Sequence, residues 1–437
     1  MGSHLGIKTP DYDPYKGMTQ LDIDLTKNEE VYPEKPLIAQ EDWDKIVAYY
    51  QKNAPENLIQ NREEKNIGAL KGFNIKKPIL PDVMPLISLS KIENGKIYIG
   101  LLDGRILVLD NNLQKTASYS IDTPPVAVHV SANNFIDVIG VGEIRPNQRD
   151  EGAFFQVNPQ RPERFMFGAL RYLRRPVDFI EIDLNNDQQN EVIVCEYGYL
   201  TGQLAWYEFK NKQWLRHILS DKLGATKIIA EDFNKDGLTD FGVLFAQGDE
   251  HISIFYNKEN GDFEEKTVLR FPPIYGSSHI QFVDFNYDGH KDILYTNGDN
   301  EDFSPVLKPY HGVRVFINDG KDNFSQKWFQ PFYGAFQSVA ADFDLDGDID
   351  IATISFFPDN QQKAASNFKY FEQTSPFVFQ TSTFDEAIYG NWMTIDAGDI
   401  DLDGDSDILL GSFALNKKPQ DRGKREYPFV ILQNKKK

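Results

Sequence analysis

A single cysteine, Cys195, occurs in 437 residues. One thiol excludes an intrachain disulfide framework and any CxxC metal or haem-attachment site within this chain. No apolar run approaches the roughly eighteen residues that a membrane-spanning helix needs. Cations are short: 46 Lys and Arg stand against 66 Asp and Glu, for a net charge of −20. Phosphate contacts are made by Lys and Arg, so this balance argues against nonspecific binding to nucleic acid or to an anionic membrane. The first residues, MGSHLGIKTP, lack the basic stretch and apolar core of a secretory signal. Either the protein stays inside, or its original start is missing from this chain. What is plentiful is apolar and aromatic residues, 41% and 13% of the chain, and these exclude a disordered polypeptide.

The chain repeats itself. Five segments are versions of one another: DLNNDQQNE from Asp183, DFNKDGLTD from Asp232, DFNYDGHKD from Asp284, DFDLDGDID from Asp342 and DIDLDGDSD from Asp399. Their first aspartates are 49, 52, 58 and 57 residues apart. Alternating apolar stretches flank each segment, as strands do. Third and fourth strands follow, such as ISIFYN and EEKTVLRF in one unit. Four short strands per unit of about fifty residues predict propeller blades. Two more blades, without the acidic segment, run from about Pro85 to Ile121 and from Val126 to Leu170. The expected fold is an all-β, seven-bladed propeller. The last blade stops at its third strand, near Leu432, so a strand within Ile75–Leu80 is expected to close the ring. Residues 1–80 form an N-terminal segment with one amphipathic helix over about 40–54, and residues 81–437 form the propeller.

In each acidic loop, oxygen side chains fall at positions 1, 3, 5 and 9, and glycine holds position 6 in four of the five. Calcium takes six to eight hard oxygens, and a glycine lets the chain turn around the ion. An EF-hand also needs Glu at position 12 and flanking helices. Here position 12 is Val194, Val243, Tyr295, Thr353 or Leu410, and the flanks are strands. The loops therefore read as calcium loops closed by the acid at position 9, with a backbone carbonyl from position 7. The expected ligands are Asp183, Asn185, Asp187, Gln189 and Glu191; Asp232, Asn234, Asp236, Leu238 and Asp240; Asp284, Asn286, Asp288, His290 and Asp292. The last two loops supply Asp342, Asp344, Asp346, Asp348 and Asp350, then Asp399, Asp401, Asp403, Asp405 and Asp407. Four or five Ca²⁺ sites follow, the loop with Gln188 at position 6 being the fifth. Magnesium is a poorer fit, because it resists giving up its waters for an all-protein cage.

These loops and blades together resemble the FG-GAP/VCBS-type propellers, a group that includes the calcium-binding propeller of integrin alpha subunits. The resemblance covers roughly residues 81–437. It implies an extracellular, periplasmic or cell-surface protein that binds other molecules; a minority of such proteins are polysaccharide lyases or related sugar-active enzymes. A second resemblance concerns EDWDKIVAYYQKNAPENL, in which Trp43, Ile46, Val47 and Tyr50 share a helix face. It looks like the last helix of a small c-type cytochrome domain found upstream of such propellers. No CxxCH occurs, so no haem is expected in this chain. Either the helix is a strut on the propeller, or a cytochrome c domain is missing upstream.

In a propeller, the 1–2 and 3–4 connections emerge on one face, and the 2–3 and 4–1 connections on the other. The acidic loops are 1–2 connections. The opposite face carries the long loops 142–152, 297–312, 356–367 and 412–428, and long loops are where function tends to sit. Arginines and aromatics collect there: Arg145, Arg149, Arg171, Arg174, Arg175, Tyr197, Tyr275, His279, Lys308, Tyr310, His311, Tyr333 and Trp392. Arginine forks carboxylates and aromatic rings stack on apolar ligand faces. The expected function is a calcium-stabilised module of the periplasm or cell surface that binds a glycan or a protein through this face. Two alternatives stay open: a lyase-like polysaccharide-active enzyme using Tyr310, His311, His279 or Lys308, and the docking half of a truncated cytochrome c fusion.

Overall fold

The computed structural model describes every residue except 1, 9–11, 57–66, 79, 132, 162–169, 185–187, 260, 300–305, 360–363, 416–425 and 436–437. Seven antiparallel sheets follow one another around a ring. Their innermost strands are Ile87–Glu93, Pro125–Val130, Pro176–Ile182, Ala225–Glu231, Ser277–Val283, Ala335–Ala341 and Trp392–Gly398. In the first five blades the strands run in simple sequence order from the channel outward, and the last two each take an outermost strand from the N-terminal side. The alternation read from sequence holds best in the outermost strands; Lys115–Ser120, for example, alternates exposed and partly buried side chains. Second strands such as Asp240–Phe245 are buried along their whole length, because neighbouring blades cover both of their faces.

The core therefore lies between blades. Ile193 and Cys195 of the third blade pack with Ile228, Phe241, Val243 and Phe255 of the fourth. Burial pushes the Cys195 thiol well above its ordinary pKa, as expected for a packed strand residue. Side chains also stitch adjacent inner strands together. Glu93, Asp178, Gln281, Gln337 and Asp396 accept the backbone N–H of Val130, Ile228, Ala340, Ile395 and Ile92, each on the next blade around the ring.

The ring closes through a strand from the N-terminal side, slightly upstream of the expected position. Phe73–Lys76 pairs antiparallel with Phe429–Asn434 and supplies the fourth strand of the last blade. The propeller's sheets thus begin before residue 81. Gly68–Ala69 adds a short parallel strand to the outer edge of the sixth blade, which the sequence did not foretell.

Two helices precede the ring, α1 (Gln20–Asn28) and α2 (Gln40–Asn53). Thr19 caps α1 through the N–H of Asp22 at 3.2 Å. The helix is held to the loop face of the propeller: Glu29, just past its end, meets Arg174 at 2.6 Å, and Asp22 accepts the N–H of Gln148 at 3.4 Å. The α2 helix matches the expected span, and none of its residues is fully buried. Trp43 on its apolar face lies against Gly2. Among the described residues, no helix is long and apolar enough to cross a membrane.

Candidate functional sites on the two faces

Each acidic loop folds around its first aspartate. Asp232 accepts the N–H groups of Asp236 and Gly237 at 3.1 and 3.0 Å. Asp284, Asp342 and Asp399 do the same with positions 5 and 6 of their own loops. The turn demands a left-handed residue at position 6, where Gly237, Gly289, Gly347 and Gly404 have φ of 88°, 83°, 94° and 98°. A Cβ at Gly237 would meet nothing within 4 Å, so the dihedral rather than crowding selects glycine. Gln188 fills the same position at φ 69°, and its N–H also bonds Asp183, at 2.9 Å. Asn185 and Asp187 lie outside the described residues.

The position-9 acids do more than the spacing indicated. Asp240, Asp292, Asp350 and Asp407 are wholly buried, and Glu191 nearly so. Asp240 accepts the N–H of Phe233 at 3.1 Å and that of Asn257, on the third strand, at 2.8 Å. Asp292 and Asp407 repeat this pairing with the N–H groups of Asn318 and Asn434. These carboxylates lock the loop to the blade. Burial, then like-charged neighbours, push Asp292 and Asp407 up to about 6, and Asp350 and Asp405 up to about 7.

The donor set fits a divalent cation. Carboxylate oxygens of Asp342, Asp344 and Asp346 lie within 4.8 Å of one another, as do those of Asp399, Asp401 and Asp403. Among the described residues, Asp348 Oδ1, Asp401 Oδ1 and both oxygens of Asp405 are buried without a hydrogen-bond partner. Crowded hard oxygens with unspent lone pairs are what calcium takes. At position 7 the N–H groups of Leu238 and His290 bond the position-5 aspartates, each at 2.9 Å.

On the opposite face, a funnel of about 1160 Å³ opens at the channel mouth. All seven blades contribute to its wall, through Ser88, Val126, Asp178, Lys227, His279, Phe336 and Met393 among others. Of the residues expected to bind ligand, Arg145, Arg175, Tyr197 and His279 line it. Arg175 packs over Tyr197 at 5.2 Å and donates to Ile144 O at 3.2 Å. Lys227 pairs with Asp178 at 2.9 Å. Burial, aided by the charge of Lys227, lowers the His279 pKa to about 3, so this imidazole is neutral.

The other expected ligand residues do not line the funnel. Trp392 is sealed in the core, and its indole N–H bonds Ala387 O at 2.9 Å. His311 is 1% exposed. Tyr275 and Tyr310 stack on one another at 5.3 Å, and Arg314 packs on Tyr275 while donating to Tyr310 O at 2.8 Å. Arg149 and Arg171 pair with Glu143 and Asp122, at 3.5 and 3.0 Å. Arg174 is held by Glu29. The backbone oxygen of Tyr333 accepts from Ser355, and that of Lys308 from the N–H of His311.

Sequence reasoning missed the N-terminal contribution. Tyr12, Asp13, Lys16, Asp22 and Tyr32 form part of the funnel wall. No local pattern marks them, since the docking of that segment is a long-range packing event. The Asp178–Lys227 pair was missed as well, although both residues sit at the same place on the inner strands of adjacent blades.

Residues 232–295 match the FG-GAP-like repeat family, over the acidic loops of the fourth and fifth blades. A comparison with curated proteins finds no match. Among solved structures, the WD40 domain of Pan2 from Neurospora crassa is 10% identical at a TM-score of 0.50, covering 84% of this chain and 96% of that one. At that identity the likeness shows the fold alone. The N-terminal domain of Nup159 aligns with 10% identity and a TM-score of 0.47, over 84% of this chain and 96% of that one. The chain is a seven-bladed β-propeller in which residues 232–295 match the FG-GAP-like repeat.

Proposed function

We propose that the protein is a calcium-stabilised, extracytoplasmic binding module whose ligand, a glycan or a protein, enters the funnel opposite the acidic loops. The observation that carries this reading is the division of labour between the faces. The acidic loops spend their side chains on their own turns and on a prospective ion. The funnel gathers residues from all seven blades and the N-terminal segment around one open cavity.

In the acidic loops, the aspartates and asparagines at positions 1, 3 and 5, the carbonyl at position 7 and the acid at position 9 would hold the ion. Bound calcium would neutralise the crowded carboxylates and stiffen the link between first and second strands. Open loops of this kind bind at roughly 10⁻⁴–10⁻³ M calcium, an extracellular level, and this supports a periplasmic or cell-surface location. Five divalent ions would offset about half of the net charge of −20, so part of the acidity says nothing of the partner.

An enzyme acting on polysaccharides is the second reading. The observation that favours it is His279, neutral and on the funnel wall, with Nδ1 unpartnered among the described residues. Native mass spectrometry in calcium, with a mixture of neutral and uronate-containing oligosaccharides, tests both. Four or five bound ions with an intact bound sugar are expected. A shortened sugar makes the protein an enzyme, and a spectrum without calcium removes the metal assignment.

A further inference from the structure

Four buried side-chain atoms without a hydrogen-bond partner among the described residues belong to residues of the same funnel. They are Gln148 Nε2, Arg175 Nε, Gln247 Oε1 and His279 Nδ1. A buried polar group left unmade is costly, and a convergent set of them in a cavity points to a ligand that meets them. The set mixes donors with acceptors. A hydroxyl, which both donates and accepts, suits such a mixture better than a purely anionic or purely apolar group.

Arg175 sets the charge of the ligand. Among the described residues no carboxylate lies within 4 Å of its guanidinium; Asp299 acts on it only from further away. Two of the four aspartates on the funnel wall are spent, Asp13 and Asp299 being the others. Asp178 takes Lys227 at 2.9 Å and the N–H of Ile228 at 3.1 Å, and Asp22 takes Thr19 at 2.5 Å. A guanidinium held over Tyr197, with Nε free, is shaped to receive a carboxylate through the fork.

Three blades further around the ring, Phe336, Phe356 and Phe357 form an aromatic cluster with ring centroids 4.9 to 6.3 Å apart. All three line the funnel. This gives the cavity a charged side and an apolar side. Its volume, about 1160 Å³, lies just above the usual range of small-molecule sites and suits a short oligomer.

We infer that the funnel holds an acidic oligosaccharide, with a uronate carboxylate on Arg175, hydroxyls on Gln148, Gln247 and His279, and a ring face against the Phe336 cluster. This rests on the reading that the loop face is the ligand face. A peptide is the weaker candidate, because the unpaired atoms are side-chain groups scattered around a funnel and not an exposed strand edge that an extended backbone could join.

The test is titration calorimetry of the full chain in calcium. The probes are trigalacturonate, trimannuronate, the neutral trimers galactotriose and mannotriose, and a glutamate-rich peptide. An acidic trimer is expected to bind at least tenfold more tightly than its neutral counterpart. Arg175→Gln should abolish that preference, and Arg175→Lys, which keeps the charge and loses the fork, should weaken the acidic trimer several-fold. Arg216→Gln, at an exposed arginine on the outermost strand of the third blade and outside the funnel, should leave affinity unchanged. Thermal melting of each variant separates lost binding from lost fold. Equal affinity for acidic and neutral trimers overturns the carboxylate assignment and leaves a glycan-binding face. Binding of the peptide alone replaces the saccharide with a protein partner. No binding by a normally melting wild type overturns both the inference and the ligand face on which it rests.

Discussion

Two histidines on the loop side, His311 buried and His279 half-buried on the funnel wall, sit where a positive charge is disfavoured. His279 and His311 are each lowered to about 3, first by burial and then by the cations facing them, Lys227 for the former and Lys308 and Arg314 for the latter. In the unfolded chain each titrates near 6.5. Below that pH the unfolded state binds protons that the native state refuses, so stability falls as pH drops from about 6.5 toward the folded values. The loss should be on the order of 2 kcal/mol per histidine by pH 4.5. His279→Gln combined with His311→Gln should flatten the fall in melting temperature between pH 7 and 5. Parallel curves for variant and wild type would remove this account. Nothing in the sequence marked either histidine as neutral. His311 was legible as a loop residue only, and its burial comes from the Tyr275–Tyr310–Arg314 packing around it.

The strand that closes the ring is a small element on which the last blade depends. Without Phe73–Lys76, the backbone edge of Phe429–Asn434 would be open to pairing with another chain. Phe73 anchors it, with ring centroids 6.3 Å from Phe343 and 5.6 Å from Tyr370, in the core between the sixth and seventh blades. Phe73→Ala should cost about 3 kcal/mol, read as a shifted denaturant midpoint. A variant as stable as wild type would show that closure rests on the backbone pairing alone. A missing fourth strand could be foreseen by counting strands in the last repeat. Which four residues would fill it could not, because FNIK is short and carries little pattern of its own.

Across the whole molecule, the acidic loops share one face, so metal bound there would act on the ring as a set of parallel clamps. Chelation should lower the melting temperature by about 5 °C or more in dilute buffer, since each occupied site adds a mass-action term to stability. Calcium at about 1 mM should restore it, and magnesium at the same concentration should not. A melting curve indifferent to chelator would mean that the hydrogen bonds Asp240, Asp292, Asp350 and Asp407 accept from third-strand backbone N–H groups hold the loops unaided.

The repeat period, the strand alternation and the five acidic loops were all readable from the chain, because each is a short-range pattern. A loop whose ligands fall within nine consecutive residues carries its geometry with it. The funnel is different. Arg174 and Arg175 are neighbours in sequence with the same side chain, yet one is taken by Glu29, 145 residues away, and the other faces the cavity. That choice depends on where α1 docks and on the left-handed turn at Arg175, φ 47°. Local spacing thus determined the fold and the loops, while long-range packing decided which of many arginines, histidines and aromatic rings remain open to a ligand.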